Sequence, residues 1–109
     1  MEWSKWRIMW VAVLFDLPTD TPEKRREYAD FRKALLEDGF VMMQYSVYIR
    51  HCPSEENAEV HDQRVRNALP PEGEVRIIHF TDSQYGRMKV FHGKLRKDAE
   101  KAKSQLELF

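Results

Sequence analysis

Two long runs of apolar residues, Ile8–Phe15 and Phe40–Ile49, dominate the first half of the chain. The first run is almost unbroken and rich in β-branched and aromatic residues, which predicts a strand buried on both faces. The second run predicts another strand, in which Gln44 and Ser46 are the polar exceptions. For these two residues we expect hydrogen-bonded structural roles rather than catalytic ones. Because successive positions are apolar in both strands, both faces of the predicted sheet require cover.

Helical periodicity follows each of these two runs. Thr21 predicts an N-cap, with Pro22 at the first helical position, and Gly39 ends this helix. Ser54 predicts the N-cap of a second helix, which ends before Pro70–Pro71. The predicted inner stripes comprise Tyr28, Phe31, Leu35 and Leu36 in the first helix and Ala58, His61, Val65 and Leu69 in the second.

The remaining apolar segments predict two further strands and a tail. Val75–Phe80 predicts a third strand, and Met88–His92 predicts a fourth strand after a turn around Gly86. Residues 1–93 therefore form one α+β domain with two helices on one face of the sheet. Residues 94–109 form a charged C-terminal tail, whose final alternation of apolar and polar residues predicts a short fifth strand.

The uncovered face of this sheet predicts self-association. A domain of this size has a small core, so covering a further apolar face stabilises it markedly. A second copy packed sheet to sheet through a two-fold interface supplies that cover. The alternative is a monomer in which Trp3 and Trp6, or the tail, fold over the open face. We favour the homodimer.

Composition restricts the cellular compartment and the class of partner that we expect for this protein. The 18 basic and 18 acidic residues balance, which argues against a polycation that coats nucleic acid but leaves local basic patches open. Cys52 is the single cysteine, which excludes an intrachain disulfide and favours a reducing compartment. The chain has neither a signal peptide pattern nor an apolar run of about 20 residues, so we expect a soluble, cytoplasmic protein without a membrane partner.

Asp16 is the principal candidate for chemistry. It ends the first strand, and Pro18 prevents a simple continuation of that strand. Asp16 could cap a turn, as aspartates often do. A two-fold axis near this strand end would instead bring two copies of Asp16 together, in a Mg²⁺ site that neither chain has alone. The bound ion could activate water against a phosphodiester, so Asp16 is the candidate metal ligand and catalytic residue.

Basic residues lie in local groups along the chain. Arg25 and Arg26 open the first helix, and Arg87 precedes the last predicted strand. In a dimer these groups are doubled and span a duplex backbone, where they make sequence-independent phosphate contacts. Arg25, Arg26 and Arg87 are therefore the candidate nucleic-acid-binding residues.

Three stretches, residues 13–21, 39–48 and 87–93, occur together in an informative order. The first has an acid at the end of a buried strand, a Pro-Thr turn and a helix; the second contains Gln44-Tyr45-Ser46-Val47-Tyr48; the third is Arg87-Met88 followed by Phe91-His92-Gly93. In this order and spacing they resemble the small CRISPR-associated spacer-acquisition family, the dimeric partner of the CRISPR integrase. The likeness covers residues 7–93 and is greatest to forms from type II systems.

The resemblance implies a ferredoxin-like βαββαβ homodimer that bridges two integrase dimers and holds duplex prespacer DNA for insertion into a CRISPR array. It also implies a metal-dependent endonuclease activity on RNA or double-stranded DNA, with one Mg²⁺ per dimer shared by two Asp16 carboxylates. By the same resemblance, the tail residues Leu106, Leu108 and Phe109 dock the integrase. A toxin-type messenger-RNA endoribonuclease on the same fold is the alternative function.

Overall fold

The computed structural model describes residues 7–93, in which two main helices cover one face of a four-stranded antiparallel sheet. The strands are β1 (Met9–Asp16), β2 (Val41–Gln44), β3 (Val47–Cys52) and β4 (Glu74–Thr81), and the helices are α1 (Pro22–Glu37), α2 (Glu55–Asn67) and α3 (Asp82–Gly86). The strand order is β2-β3-β1-β4, and each neighbouring pair is antiparallel. This arrangement confirms the predicted α+β, ferredoxin-like fold. Leu106, Leu108 and Phe109 lie outside the described residues, as does the predicted fifth strand.

The prediction of one strand over Phe40–Ile49 was wrong, because this segment is the β2–β3 hairpin. Tyr45 and Ser46 form its two-residue turn, and Ser46 adopts a positive φ of 61°. The Phe15 N–H donates to the Ser46 carbonyl at 3.0 Å, which ties the turn to the end of β1. The sequence did not reveal the turn because neither central residue is a glycine, asparagine or aspartate, the usual residues at positive φ in such turns.

The prediction of a strand at Met88–His92 was also wrong. This segment pairs with none of the four strands, and Val90 and Phe91 are exposed. The chain instead leaves β4 through α3, which begins at the capping box formed by Thr81 and Gln84. The alternation of apolar and polar residues after Gly86 imitates an edge strand, but alternation alone does not supply a pairing partner.

Both main helices begin where their capping residues predict. The Thr21 hydroxyl accepts a hydrogen bond from the Lys24 N–H at 3.1 Å, and the Ser54 hydroxyl accepts one from the Asn57 N–H at 3.0 Å. Gly39 follows α1 with a φ of 89°, a conformation that favours glycine. Within residues 7–93, no helix has the length and apolar character needed to cross a bilayer.

The core lies between the helices and the odd-numbered residues of β1. Its members are Met9, Val11, Val13, Phe15, Leu17, Phe31, Leu35, Phe40, Tyr48, Cys52, Ala58 and Val65. Leu36 and Leu69 were predicted in the inner stripes, but they are 42% and 47% exposed. Leu36 lies at the margin of the stripe, and Leu69 follows the end of α2 at Asn67. The inner stripes are therefore narrower than predicted.

A partly buried polar network joins the end of α1 to α2. Asp38 accepts hydrogen bonds from His61 Nδ1 at 2.7 Å and from Arg64 Nη1 at 2.8 Å. Its carbonyl oxygen also accepts one from Arg50 Nε at 2.8 Å. Burial by itself raises the pKa of Asp38, but the hydrogen bonds from His61 and Arg64 outweigh burial and lower it. His61 is therefore a packed and hydrogen-bonded core residue.

His79 fastens α2 to the edge strand β4. It lies on the helix-facing side of β4, opposite Val11. Nδ1 of its ring is 2.6 Å from Oε1 of Glu55, and Nε2 is 2.8 Å from Oδ1 of Asp62. Burial lowers the pKa of His79, but the hydrogen bonds and negative charges of both carboxylates outweigh burial and raise it.

We expect the stabilising effect of His79 to decline as pH rises. Because its pKa is higher in the folded chain, the charged clamp contributes fully below the unfolded value of about 6.5 and is lost as pH rises through the folded value. Urea unfolding of wild type and His79→Gln from about pH 5.5 to about pH 9 measures this. The difference in free energy of unfolding should shrink along that range, and a constant difference contradicts the prediction.

Candidate active site

The face of the sheet away from α1 and α2 is mostly apolar, and we call it the open face. Strand alternation and the pairing register determine its members. It comprises Trp10, Ala12, Leu14 and Asp16 of β1, Val47, Ile49 and His51 of β3, and Glu74, Arg76, Ile78 and Phe80 of β4. At its centre, Ala12 lies between Ile49 and Ile78, and Ile78 is 51% exposed. The side chains of the unbroken apolar run of β1 therefore lie on both faces of the sheet, as its sequence predicts.

Aromatic contacts organise one end of the open face. The Trp10 ring stacks on Tyr85 of α3 at a centroid distance of 4.0 Å, and its Nε1–H donates to Oδ1 of Asp82 at 2.9 Å. His51 meets the same indole edge-on at 4.9 Å. These contacts hold α3 against the sheet and explain why the chain turns there after β4.

Asp16 lies at the opposite end of the open face, where β1 ends. Its side chain is exposed, and within residues 7–93 its carboxylate has no hydrogen-bond or ion-pair partner. Glu74 is its cross-strand neighbour on β4. Asp16 therefore presents two free carboxylate oxygens to solvent, so its side chain does not cap the turn that follows.

Asp16 borders a shallow cleft of about 280 Å³. The lining residues are Leu14, Phe15, Asp16, Tyr45, Ser46, Val47, Glu74 and Arg76. The cleft combines a carboxylate without a partner, an ion pair, a phenol and an apolar floor. A hydrogen bond to Tyr28 raises the pKa of the Tyr45 phenol.

Gly73 positions the entry of β4 against the end of β1. It adopts a φ of 105°, and a β-carbon there would lie 2.6 Å from Cδ2 of Leu17 and 2.8 Å from the carbonyl oxygen of Asp16. Only glycine allows this close approach without displacing the Asp16 backbone. The Pro70–Gly73 segment is thus part of the scaffold that holds the candidate site.

Sequence reasoning singled out Asp16 as a candidate but did not select the two β4 side chains beside it. Arg76 Nη2 donates to Oε1 of Glu74 at 3.0 Å, and both residues line the cleft. They are remote from Asp16 in the sequence, and only the β1–β4 register brings them close. Alternate residues lie on one face of a strand, so the sequence could have shown that Glu74, Arg76 and Ile78 share a face that is polar at one end.

The predicted basic residues divide between the two ends of the molecule. Arg25 lies near the Asp16 end, where its Nη1 donates to the Thr19 carbonyl at 3.0 Å, and Arg26 is exposed on the same helix. Arg87 follows α3 at the Trp10 end, where its Nη1 donates to Oγ of Ser83 at 3.0 Å. One chain therefore does not gather these residues into one patch.

Carboxylate oxygen is the ligand type that Mg²⁺ prefers, so the donor chemistry of Asp16 fits this ion. Within the described part of the chain, no group of three or more His, Cys, Asp or Glu side chains could hold a metal. Asp16 and Glu74 are neighbours across two strands, and Glu74 is already paired with Arg76. Within the cleft, Asp16 is therefore the carboxylate that has no partner among the described residues.

Comparisons with known proteins agree with this architecture. A family model described as "CRISPR associated protein Cas2" matches residues 9–88. The "CRISPR-associated endoribonuclease Cas2" of Parvibaculum lavamentivorans is 60% identical over 101 residues, which cover 93% of this chain and 100% of that protein. The protein of the same name from Flavobacterium psychrophilum is 49% identical over 106 residues, which cover 97% and 92%. A structure described as "Crystal structure of cas2" matches with a TM-score of 0.54 at 18% identity, over 80% of this chain and 91% of that one.

Proposed function

Because the chain belongs to the CRISPR-associated Cas2 family, we propose that it acts on nucleic acid in CRISPR adaptation as a homodimer. In this role it bridges two integrase dimers and holds duplex prespacer DNA for insertion into the array. Asp16 adds a divalent-metal-dependent endonuclease site to this scaffold. The relatives carry the name endoribonuclease, which supports the second part of the proposal.

The open face is the observation that carries the proposal. Its centre is apolar at Ala12, Ile49 and Ile78, and of these Ile78 is the one exposed in the single chain. The helices α1 and α2 cover only the other face, whereas α3 contacts the open face at the Trp10 end. Burial of apolar surface is worth roughly 25 cal/mol per Å², so a second copy packed face to face gains stability from this surface. A two-fold axis at the Asp16 end then brings the two Asp16 carboxylates into one shared cleft.

Charge placement supports the scaffold role. Arg25 and Arg26 lie on the helix layer near one end of β1, whereas Arg87 lies near the other end. In a homodimer each group is present twice, on surfaces separated by the length of the sheet. Such separated cations suit the backbone of a duplex, which is contacted through its phosphates without sequence preference.

The endonuclease role depends on Asp16. Two Asp16 side chains related by the two-fold axis would hold one Mg²⁺, and the remaining positions would stay with water. When bound, the ion supplies a Lewis acid that activates water and stabilises the charge on the phosphodiester. The chain itself supplies the ligand oxygens, the apolar floor that limits water, and the glycine-bounded turn that holds Asp16.

Co-purification with a CRISPR integrase subunit from the same source tests the scaffold role. We expect a stable complex that inserts prespacer DNA, because the dimer presents two identical docking surfaces to the integrase. The same assay with Asp16→Ala separates the two roles: normal integration makes the metal site dispensable for the scaffold. A chain that forms no complex, and arrests growth when expressed alone, would overturn the scaffold in favour of a toxin-type messenger-RNA ribonuclease.

A further inference from the structure

Arg76 supplies the positive charge of the Asp16 cleft. Among the residues that line this cleft, Asp16 and Glu74 are acidic and Arg76 is the only base. A phosphodiester brings a further negative charge into the same space. A substrate that reached Asp16 without a cation would therefore meet repulsion from both carboxylates.

The sheet holds Arg76 in a defined place beside Asp16. Arg76 lies opposite Leu14 in the β1–β4 pairing, and Glu74 lies opposite Asp16, so all four residues share the open face. The Arg76 Nη2 donates to Oε1 of Glu74 at 3.0 Å, which restrains the guanidinium. A guanidinium carries five N–H donors, so most of them remain available to a ligand.

Stability does not explain this ion pair. In the single chain the Arg76 and Glu74 side chains are 70% and 68% exposed, and pairs with such exposure contribute little to the folding of that chain. Neither residue belongs to the main core, since both lie on the opposite face of the sheet. The pair therefore leaves the Arg76 guanidinium exposed at the cleft, where a ligand can reach it.

We infer that Arg76 binds a phosphate of the nucleic acid strand at the Asp16 site and that Glu74 positions its guanidinium. The inference rests on the proposed endonuclease function. The planar, forked donor set of arginine matches the oxygens of a phosphate better than the ammonium of lysine does. In the homodimer, Arg76 of each chain borders the shared cleft, so that both sides of the bound strand meet a guanidinium.

Steady-state cleavage of a short labelled single-stranded RNA in Mn²⁺ tests this role with the full chain. Arg76→Gln should raise KM about 10-fold or more with a smaller change in kcat, because a phosphate contact present before and during cleavage acts mainly on binding. Arg76→Lys should recover part of the loss, since it keeps the charge without the fork. Arg66→Gln is the matched control, because Arg66 is an exposed arginine on α2 in the helix layer.

The outcomes separate this inference from the endonuclease proposal. If Asp16→Asn stops cleavage while Arg76→Gln leaves KM unchanged, the Arg76 inference is overturned and the endonuclease stands. If the wild-type chain does not cleave the RNA, the endonuclease proposal fails. Fluorescence anisotropy with the same RNA then tests Arg76 by binding alone. Unchanged RNA affinity in Arg76→Gln overturns the inference, whereas a loss of RNA affinity supports it. If Arg76→Gln does not fold, Arg76→Lys carries the same test.

Discussion

Asp16→Asn should abolish metal-dependent cleavage while the chain stays folded. Its carboxylate is exposed and lacks a partner within residues 7–93, so the substitution removes no stabilising contact there. An uncharged amide is a much poorer ligand for a divalent ion than a carboxylate. Removal of a residue that hydrogen-bonds to a metal ligand already lowers metal affinity or activity about 10- to 100-fold. We therefore expect removal of the ligand itself to lower the cleavage rate at least about 100-fold.

Cleavage of labelled RNA and of labelled duplex DNA, each with Mg²⁺ or Mn²⁺, measures this loss. Asp30→Asn is the matched control, because Asp30 is an exposed aspartate on α1, on the helix layer. The control should cleave like wild type, and circular dichroism should be the same for all three proteins. Activity that survives in Asp16→Asn would assign cleavage to another site or to a contaminant.

Ile78→Glu should convert the proposed homodimer into a monomer. Ile78 lies at the centre of the open face, opposite Ala12, and is 51% exposed in the single chain. The substitution therefore leaves no cavity in the fold but places an unpaired carboxylate inside the proposed interface. Burying such a charge costs several kcal/mol per ion, and each 1.4 kcal/mol is a factor of about ten, so we expect dimer affinity to fall at least about 100-fold.

Sedimentation velocity across a range of protein concentrations measures the shift. Val60→Glu provides the control, because Val60 is 46% exposed on α2 and lies on the helix layer. That variant should remain dimeric. A dimer that persists in Ile78→Glu would place the interface elsewhere, and a monomeric wild type would remove the basis for a shared Asp16 site. Loss of cleavage together with loss of the dimer would link the two proposals.

The helices were predictable because their determinants are local. Thr21 and Ser54 are capping residues with the required donor three residues later, and Gly39 takes the positive φ that ends α1. The inner stripes were also predictable near their centres, at Phe31 and Val65. The margins of these stripes were less predictable, because the burial of Leu36 depends on how far the neighbouring elements extend.

The strand assignments show where local information ends. The apolar run at Phe40–Ile49 contains a hairpin whose turn at Tyr45 and Ser46 lacks the usual turn residues. The segment Met88–His92 has the alternation of a strand but pairs with none of the four strands. A strand exists only with a partner, and its partner is chosen by the packing of the whole domain. The ferredoxin-like fold was right although two of its strands were misplaced.

The sequence by itself determined the helices, the double-faced β1 strand and the candidate residue at its end, because each depends on residues close together in the chain. Tertiary structure alone decided which side chains surround Asp16. Glu74 and Arg76 reach it through the β1–β4 register, and the Tyr45–Ser46 turn reaches it through a backbone hydrogen bond to Phe15. Register depends on contacts between distant segments, and a shift of one residue would place Arg76 on the helix face instead.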